Sequence, residues 1–120
     1  MPGRQNEPAV QFSISHSAGL AVLAFGRGAS IGVDVERISG FDSMRQVAAL
    51  NFTSTEMREL ENASEAECVG AFFRLWTRKE AVLKASGEGL LLPADCVDVS
   101  SPGNGEKTWV TRIKAGSNVR

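Results

Sequence analysis

The stretch LWTRKEAVLKASGEGL (Leu75 to Leu90) has the spacing of an amphipathic helix that ends at a glycine. At about 100° of rotation per residue, Lys79 falls between Leu75 and Phe72, and its neighbour Glu80 falls on the same side. An amphipathic helix normally carries its charges on the opposite side. The apolar arc that encloses both charges consists of Phe72, Phe73, Leu75, Trp76, Val82 and Leu83.

Two explanations are open for these charges. In the first, Glu80 forms an ordinary i,i+4 ion pair with Lys84, worth roughly 0.2–0.5 kcal/mol, and Lys79 extends its long stem to solvent. In the second, Glu80 binds a cation while Lys79 and Lys84 bind anions in one cleft beside the core. A carboxylate at the border of a core is costly unless it is paired or bound to metal. We favour the second explanation, because a metal with a polyphosphate supplies both kinds of partner.

The composition is typical of one soluble domain spanning residues 1–120. The chain is 42% apolar and 22% charged, and its net charge of -1 argues against a general affinity for nucleic acid. The sequence has no apolar run of transmembrane length and no signal-peptide core at its start, so we expect a cytoplasmic protein without membrane contact. Cys68 and Cys96 lack zinc spacing; we expect buried thiols, although a disulfide stays open.

Alternating patterns predict strands in the first third of the chain. Gln11 to Ser17 (QFSISHS) is predicted to form a short strand that ends near His16. Leu20 to Gly26 (LAVLAFG) is a continuous apolar run, typical of a strand that is buried on both faces. A glycine-rich turn follows, and the strictly alternating Ile31 to Glu36 (IGVDVE) is predicted to form a hairpin with the preceding strand.

Helical signals follow these strands. Residues 42–51 are predicted to form a short helix, and TSTE matches a capping box with Thr53 as N-cap of a helix over about 54–62. SEAE (Ser64 to Glu67) is a second capping box, which opens the longest helix. That helix is expected to run to about Ser86 and to end at Gly87.

The last third of the chain returns to strand patterns. Val97 and Val99 indicate one strand, and residues 109–113 indicate another, on either side of a turn over 101–106. The order of strands, helices and strands predicts an α+β domain, with a largely antiparallel sheet packed against the long helix and shorter helices.

Three further places could carry chemistry. Asp34 and Glu36 share one strand face at about 7 Å, which fits either a solvated face or a magnesium site; Gly32 on that face would leave room for a ligand. His16 fits either a histidine satisfied by the backbone or a phosphate-binding strand end with the neighbouring serine hydroxyls. For Glu56, the capping box is a complete structural explanation.

Four motifs in order resemble the motif set of the surfactin-type 4′-phosphopantetheinyl transferases: FSISHS, IGVDVE, FTSTE and LWTRKEAVLKASGEGLLLP. The resemblance runs from about Phe12 to about Pro93. Such enzymes move the phosphopantetheine arm of coenzyme A onto a serine hydroxyl of an apo carrier protein, acyl or peptidyl, and release adenosine 3′,5′-bisphosphate. The resemblance therefore implies a magnesium-dependent enzyme with coenzyme A as substrate.

The resemblance also implies a role for each candidate residue. The magnesium ligands would be Asp34, Glu36 and Glu80. Ser15 and His16 would meet the 3′-phosphate. Lys79 and Lys84 would bind phosphate oxygens, with Lys84 near the pyrophosphate as part of the catalytic machinery. Glu56 would deprotonate the carrier serine.

The length departs from this family, since surfactin-type enzymes are built from two similar halves and this chain resembles the second. The shorter carrier-protein synthases of the family have a length near 120 residues and form trimers with the site between subunits. We therefore expect either a self-associating enzyme or a truncated domain that binds magnesium and coenzyme A without turnover.

Overall fold

The computed structural model describes residues 9–86 and 93–101, and the backbone of 112–113. These residues form an α+β arrangement, as predicted, in which both strand pairs are antiparallel. None of the described helices is both long enough and apolar enough to cross a membrane. The elements are β1 (Val10–Ser17), β2 (Leu20–Arg27), α1 (Met44–Asn51), α2 (Ser54–Asn62), α3 (Cys68–Ala85), a 3₁₀ turn (Ala94–Cys96), β3 (Val97–Asp98) and β4 (Arg112–Ile113).

Strands β1 and β2 form the hairpin of the domain. Their two-residue turn, Ala18 and Gly19, has positive φ at both positions (52° and 84°), which suits the twist of a tight hairpin. The predicted β1 is confirmed, but the predicted pairing of β2 with residues 31–36 is wrong. The tight turn pairs β2 with β1, so residues 31–36 pack elsewhere.

One face of this hairpin is apolar and open. Phe12 and Phe25 lie opposite each other with ring centroids 6.5 Å apart, yet they are 66% and 67% exposed. Ile14 and Leu23 form the next pair and are also exposed. No described element covers these side chains, so the prediction that β2 is buried on both faces is wrong. An apolar run alone does not distinguish a covered face from an open one.

The opposite face of β1 holds residues 31–37, which are extended without strand pairing. Ser13, Ser15 and Ser17 project from β1, and we call them the serine ladder. Their hydroxyls accept the backbone N–H groups of residues 33, 35 and 37 respectively, each at 3.1 Å. The constant offset of 20 residues means that this segment runs parallel to β1.

Gly32 brings the same segment against α3. A Cβ atom at Gly32 would lie 2.0 Å from the carbonyl oxygen of Ala81 and 2.5 Å from the backbone nitrogen of Ala85. The helix backbone therefore fills the space that glycine provides, and the interpretation that this space receives a ligand is wrong. The close approach places residues 31–36 beside the last two turns of α3.

The helices largely follow the sequence signals. Helix α1 begins two residues later than predicted, and the Thr53 capping box of α2 is confirmed in both of its hydrogen bonds. The second capping box is wrong, because Ser64 accepts the backbone N–H of Glu67 in a turn and α3 begins only at Cys68. The predicted end of α3 near Ser86 is confirmed, whereas Gly87 lies outside the described residues.

The core lies between α1, α2, α3 and the segment around β3. Residue 97 pairs with 113 and residue 98 with 112, which confirms two strands here, although most of the predicted turn lies outside the described residues. Cys68 and Cys96 form no disulfide with each other, and Cys68 is buried. Among the described residues, the seven largest side chains with less than 2% exposure include two charged ones: Phe72, Lys79, Leu60, Leu75, Glu56, Val97 and Val99.

Candidate functional site

The two charged members of the core form an ion pair with each other. The Nζ atom of Lys79 lies 2.8 Å from Oε1 of Glu56, and both side chains are almost fully excluded from solvent. Oε1 of Glu56 also accepts the backbone N–H of Thr53 at 2.8 Å, and Oε2 accepts that of Val99 at 2.6 Å. Every oxygen of this carboxylate therefore has a donor, as a buried charge requires.

Lys79 is equally well satisfied. Its ammonium donates to the carbonyl oxygen of Ala94 at 2.7 Å and to that of Val97, and it lies 5.9 Å from the ring centroid of Phe52. Together the pair ties three parts of the chain to one another: α2, α3 and the segment that leads into β3.

This arrangement excludes one of the two sequence explanations for Lys79. The side chain does not extend to solvent, so that alternative is wrong. The anionic partner of Lys79 in the structure is Glu56. The structure does not bring Lys79 into a common cleft with Lys84. The phosphate-binding role implied for Lys79, and the proton-accepting role implied for Glu56, stay predictions.

A second cluster lies where residues 31–36 meet the end of α3. Asp34 is only 4% exposed, and its Oδ1 atom accepts the Oγ hydroxyl of Ser15 at 3.1 Å and the ammonium of Lys84 at 3.2 Å. Lys84 also donates to the carbonyl oxygen of Val33 at 3.1 Å. The ion pair that Lys84 forms is therefore with Asp34 across the fold, not the i,i+4 pair with Glu80 that the first sequence explanation required.

The second oxygen of Asp34 is different. Oδ2 is buried, and no donor among the described residues reaches it. A buried carboxylate oxygen without a partner costs roughly 1–3 kcal/mol, and such atoms are rare in folded proteins. An exception of this kind calls for an explanation, and a bound ion is one of the known explanations.

The charge of this cluster shows in Glu80. Burial raises the pKa of Glu80 above its ordinary value, the negative charge of Asp34 raises it further, and Glu36 contributes in the same direction; Lys84 partly opposes this. The predicted trio of Asp34, Glu36 and Glu80 is thus close enough for mutual repulsion. A cation placed among the three would relieve it.

The geometry does not by itself complete a metal site. Within the described part of the chain, no group of three His, Cys, Asp or Glu side chains is arranged to hold a metal ion. Magnesium, however, commonly uses one or two carboxylates and takes its other ligands from water and substrate phosphates. The free Oδ2 of Asp34 beside Glu80 fits that donor chemistry.

Ser15 and His16 lie on opposite faces of β1, because successive side chains of a strand alternate. Ser15 is 7% exposed and faces Asp34, whereas His16 is exposed and faces away on the side of Ile14. The structure therefore does not bring these two residues together on one phosphate group. Their implied roles stay predictions.

Sequence reasoning missed the contacts that join these residues across the fold. The Ser15–Asp34 bond and the Glu56–Lys79 pair each link segments about 20 residues apart in the sequence. A third such link joins Glu59 to the backbone N–H of Ser101 at 2.7 Å. No local pattern distinguishes these partners, although a lysine inside an apolar arc was a signal that a buried anion exists.

Comparison with known proteins identifies the family of the chain. The model of the 4′-phosphopantetheinyl transferase superfamily matches residues 30–118. The 4′-phosphopantetheinyl transferase AcpT of Salmonella typhimurium is 34% identical over 91 residues, which cover 71% of this chain and 47% of AcpT. The 4′-phosphopantetheinyl transferase gsp of Aneurinibacillus migulanus is 37% identical over 84 residues, covering 70% and 34% respectively. For the 4′-phosphopantetheinyl transferase Sfp of Bacillus subtilis, the identity is 34% over 92 residues, covering 77% and 40%.

The chain belongs to the 4′-phosphopantetheinyl transferase superfamily, because the family model covers well over half of it. The predicted family is thereby confirmed. The chain spans less than half the length of these curated relatives.

Proposed function

We propose that this chain transfers the 4′-phosphopantetheine arm of coenzyme A to a serine hydroxyl of an apo acyl or peptidyl carrier protein and releases adenosine 3′,5′-bisphosphate. The observation that carries the proposal is the buried, unpartnered Oδ2 of Asp34, which lies in a cluster with two further carboxylates and Lys84. This combination suits a metal-bridged pyrophosphate. The names of the relatives support the type of reaction.

In this proposal, Asp34, Glu36 and Glu80 hold a magnesium ion. The ion supplies charge neutralisation at the pyrophosphate of coenzyme A. Burial raises the pKa of Glu80, and the negative charges of Asp34 and Glu36 raise it further, so a cation bound here would stabilise the ionised form of Glu80. The free Oδ2 of Asp34 can accept the cation without breaking a hydrogen bond.

Lys84 and His16 would bind the phosphates. The side chain of Lys84 is 34% exposed, so its ammonium can reach a pyrophosphate oxygen while it remains close to Asp34. His16 is exposed on β1 and is proposed to meet the 3′-phosphate. Positive groups at these positions offset the charge of the leaving bisphosphate.

The bond changes are those of a phosphoryl displacement. The carrier serine oxygen forms a bond to the phosphorus that bears the pantetheine arm, and the bond from that phosphorus to the bridging oxygen breaks. The serine proton goes to Glu56, directly or through water. Since the carboxylate of Glu56 is fully buried and bound by Lys79 and two backbone N–H groups, this role requires that the packing around it open to admit the serine hydroxyl or a water molecule.

The test is the intact mass of an apo acyl carrier protein after incubation with the chain, coenzyme A and magnesium chloride. A gain equal to the phosphopantetheine arm supports transfer. The alternative function is a domain that binds magnesium and coenzyme A without turnover. Calorimetric binding of coenzyme A without any mass gain would support that alternative.

We also propose self-association of the chain. The open face of the β1–β2 hairpin, with Phe12, Ile14, Leu23 and Phe25 each more than half exposed, is the surface that association would cover. The predicted cytoplasmic location stays a prediction.

A further inference from the structure

Helix α2 binds the segment 97–101 through two glutamates that lie one turn apart. Oε2 of Glu56 accepts the backbone N–H of Val99 at 2.6 Å, and Oε1 of Glu59 accepts that of Ser101 at 2.7 Å. Backbone groups two residues apart in an extended segment lie on the same edge. One edge of this segment is therefore attached to α2 by side chains of the helix.

Arg78 of α3 binds the same edge. Its Nη1 atom donates to the carbonyl oxygen of Val99 at 3.2 Å and to Oγ of Ser101 at 3.0 Å. The hydroxyl of Ser101 in turn donates to Oε2 of Glu59 at 2.9 Å. Glu59, Arg78 and Ser101 thus form one hydrogen-bonded group, which we call the clasp.

We infer that Glu59 and Arg78 are positioning residues, which act through the backbone of Val99 on the proton acceptor of the proposed reaction. This inference rests on the proposed function, in which Glu56 receives the proton of the carrier serine. Val99 is bound at both of its backbone groups, at the carbonyl oxygen by Arg78 and at the N–H by Glu56. By holding the first group, the clasp fixes the direction of the second, which orients the carboxylate.

The packing of Val99 does not fix that direction by itself. Its side chain is 1% exposed, and this burial sets how deep the residue lies in the core. The described pairing with β4 covers residues 97 and 98. Beyond it, the main chain of Val99 and Ser101 is bound by side chains of α2 and α3.

The clasp lies at the border of the core, unlike the carboxylate that it supports. Glu59 and Arg78 are half-buried and Ser101 is exposed, whereas Glu56 is fully buried. Ion pairs that solvent reaches contribute only about 0–1 kcal/mol to stability. A displacement of about 1 Å at a reacting group, by contrast, can lower a rate by about 100-fold. Loss of the clasp should therefore affect the rate of transfer more than the stability of the fold.

The experiment compares Glu59→Ala with Glu61→Ala, which removes an exposed glutamate of the same helix. Transfer to an apo acyl carrier protein is followed by intact mass at saturating Mg²⁺, with the coenzyme A concentration varied. Glu59→Ala is expected to lower kcat by about 10–100-fold while the KM for coenzyme A stays within about 2-fold of the wild type. Glu61→Ala is expected to match the wild type. Glu59→Gln should recover most of the kcat, because its side-chain oxygen can still accept the N–H of Ser101.

A second readout follows the amide of Val99 directly. Hydrogen exchange is measured by NMR on chains labelled with ¹⁵N-valine, with the amide of Val82 in α3 as the internal reference. Glu59→Ala should speed exchange at Val99 by about 10-fold or more and leave Val82 unchanged. A purely structural role would speed exchange at both amides, since both then open by global unfolding.

Each alternative gives a different result. Unchanged exchange at Val99 and unchanged kcat in Glu59→Ala would show that core packing alone fixes Val99, which overturns the inference. Faster exchange at Val99 with unchanged kcat overturns positioning while the proposed function stands. Faster exchange at both amides, with kcat lowered only by the loss of folded chain, also overturns it. A wild type that transfers nothing overturns the proposed function and the inference together.

A second pair of variants tests the clasp from α3, should Glu59→Ala fail to fold. Arg78→Met removes the donor to Val99, and Arg74→Met removes an exposed arginine of the same helix as its control. The same loss of kcat and the same faster exchange at Val99 are expected for Arg78→Met alone. Equal kcat in the two variants would overturn the inference.

Discussion

Removal of the buried lysine tests whether the Glu56–Lys79 pair holds the fold together. In Lys79→Met, the carboxylate of Glu56 keeps its two backbone donors but loses its counter-ion inside the core. Breaking one partner of a buried pair typically costs about 3–5 kcal/mol. Because a domain of this size is stable by only about 5–15 kcal/mol, we expect a large loss of stability.

The measurement is guanidinium unfolding followed by circular dichroism, with the free energy of unfolding taken at constant m-value. Arg74→Met is the matched control, since it removes a cation from an exposed position of the same helix and should change stability by less than about 0.5 kcal/mol. The double variant Glu56→Gln with Lys79→Met removes both charges and is expected to be more stable than Lys79→Met alone. A loss below about 1 kcal/mol for Lys79→Met would refute the reasoning.

Three further predictions concern other features. Burial and the neighbouring carboxylates raise the pKa of Glu80 above its ordinary 4.5. The ionised form of Glu80 therefore destabilises the folded chain above that pKa and has no effect well below 4.5. Glu80→Gln should raise the Tm of the metal-free chain at pH 8 but not at about pH 3, and an equal effect at both pH values would contradict this prediction. Gly32→Ala should cost about 3 kcal/mol of folding free energy, because its Cβ meets the backbone of α3. Gly70→Ala is the control: its Cβ meets nothing within 4 Å, so the variant should be more stable than the wild type by about 0.5–1 kcal/mol. Equal chemical-denaturation midpoints for the two variants would disprove the close packing of Gly32 against α3. Phe12→Ser combined with Phe25→Ser should convert a self-associated chain to the mass of one chain in sedimentation equilibrium, and a wild type that is already monomeric at micromolar concentration would exclude association through the open face.

Features set by neighbouring residues were predictable from the sequence. The Thr53–Glu56 capping box is a contact over three residues, so its pattern is complete within four letters. The same holds for the end of α3 near Ser86 and for the placement of Lys79 within its apolar arc. The prediction from SEAE failed because the backbone N–H of Glu67 bonds to the carbonyl oxygen of Ser64, which closes a turn before the helix begins.

Features set by distant residues were not predictable in this way. The apolar run of β2 is the same whether its second face is covered or open, and the alternating 31–36 segment pairs through serine hydroxyls where a backbone ladder was expected. Likewise, the charge pattern of α3 indicated that Lys79 needs an anion but did not identify Glu56. The resemblance grouped Asp34, Glu36 and Glu80 as one set. The effect of Asp34 and Glu36 on the pKa of Glu80 is consistent with that grouping.

The most direct test of the proposed transferase is the intact mass of an apo acyl carrier protein incubated with coenzyme A, magnesium chloride and each of three chains: wild type, Glu80→Ala and Glu61→Ala. Glu61 is an exposed glutamate of α2 and serves as the control for loss of a carboxylate. The account predicts a mass gain of one phosphopantetheine arm with wild type and Glu61→Ala, and none with Glu80→Ala or with a chelator present. Transfer by Glu80→Ala at the wild-type rate, or transfer that persists in the chelator, would contradict the proposed metal site.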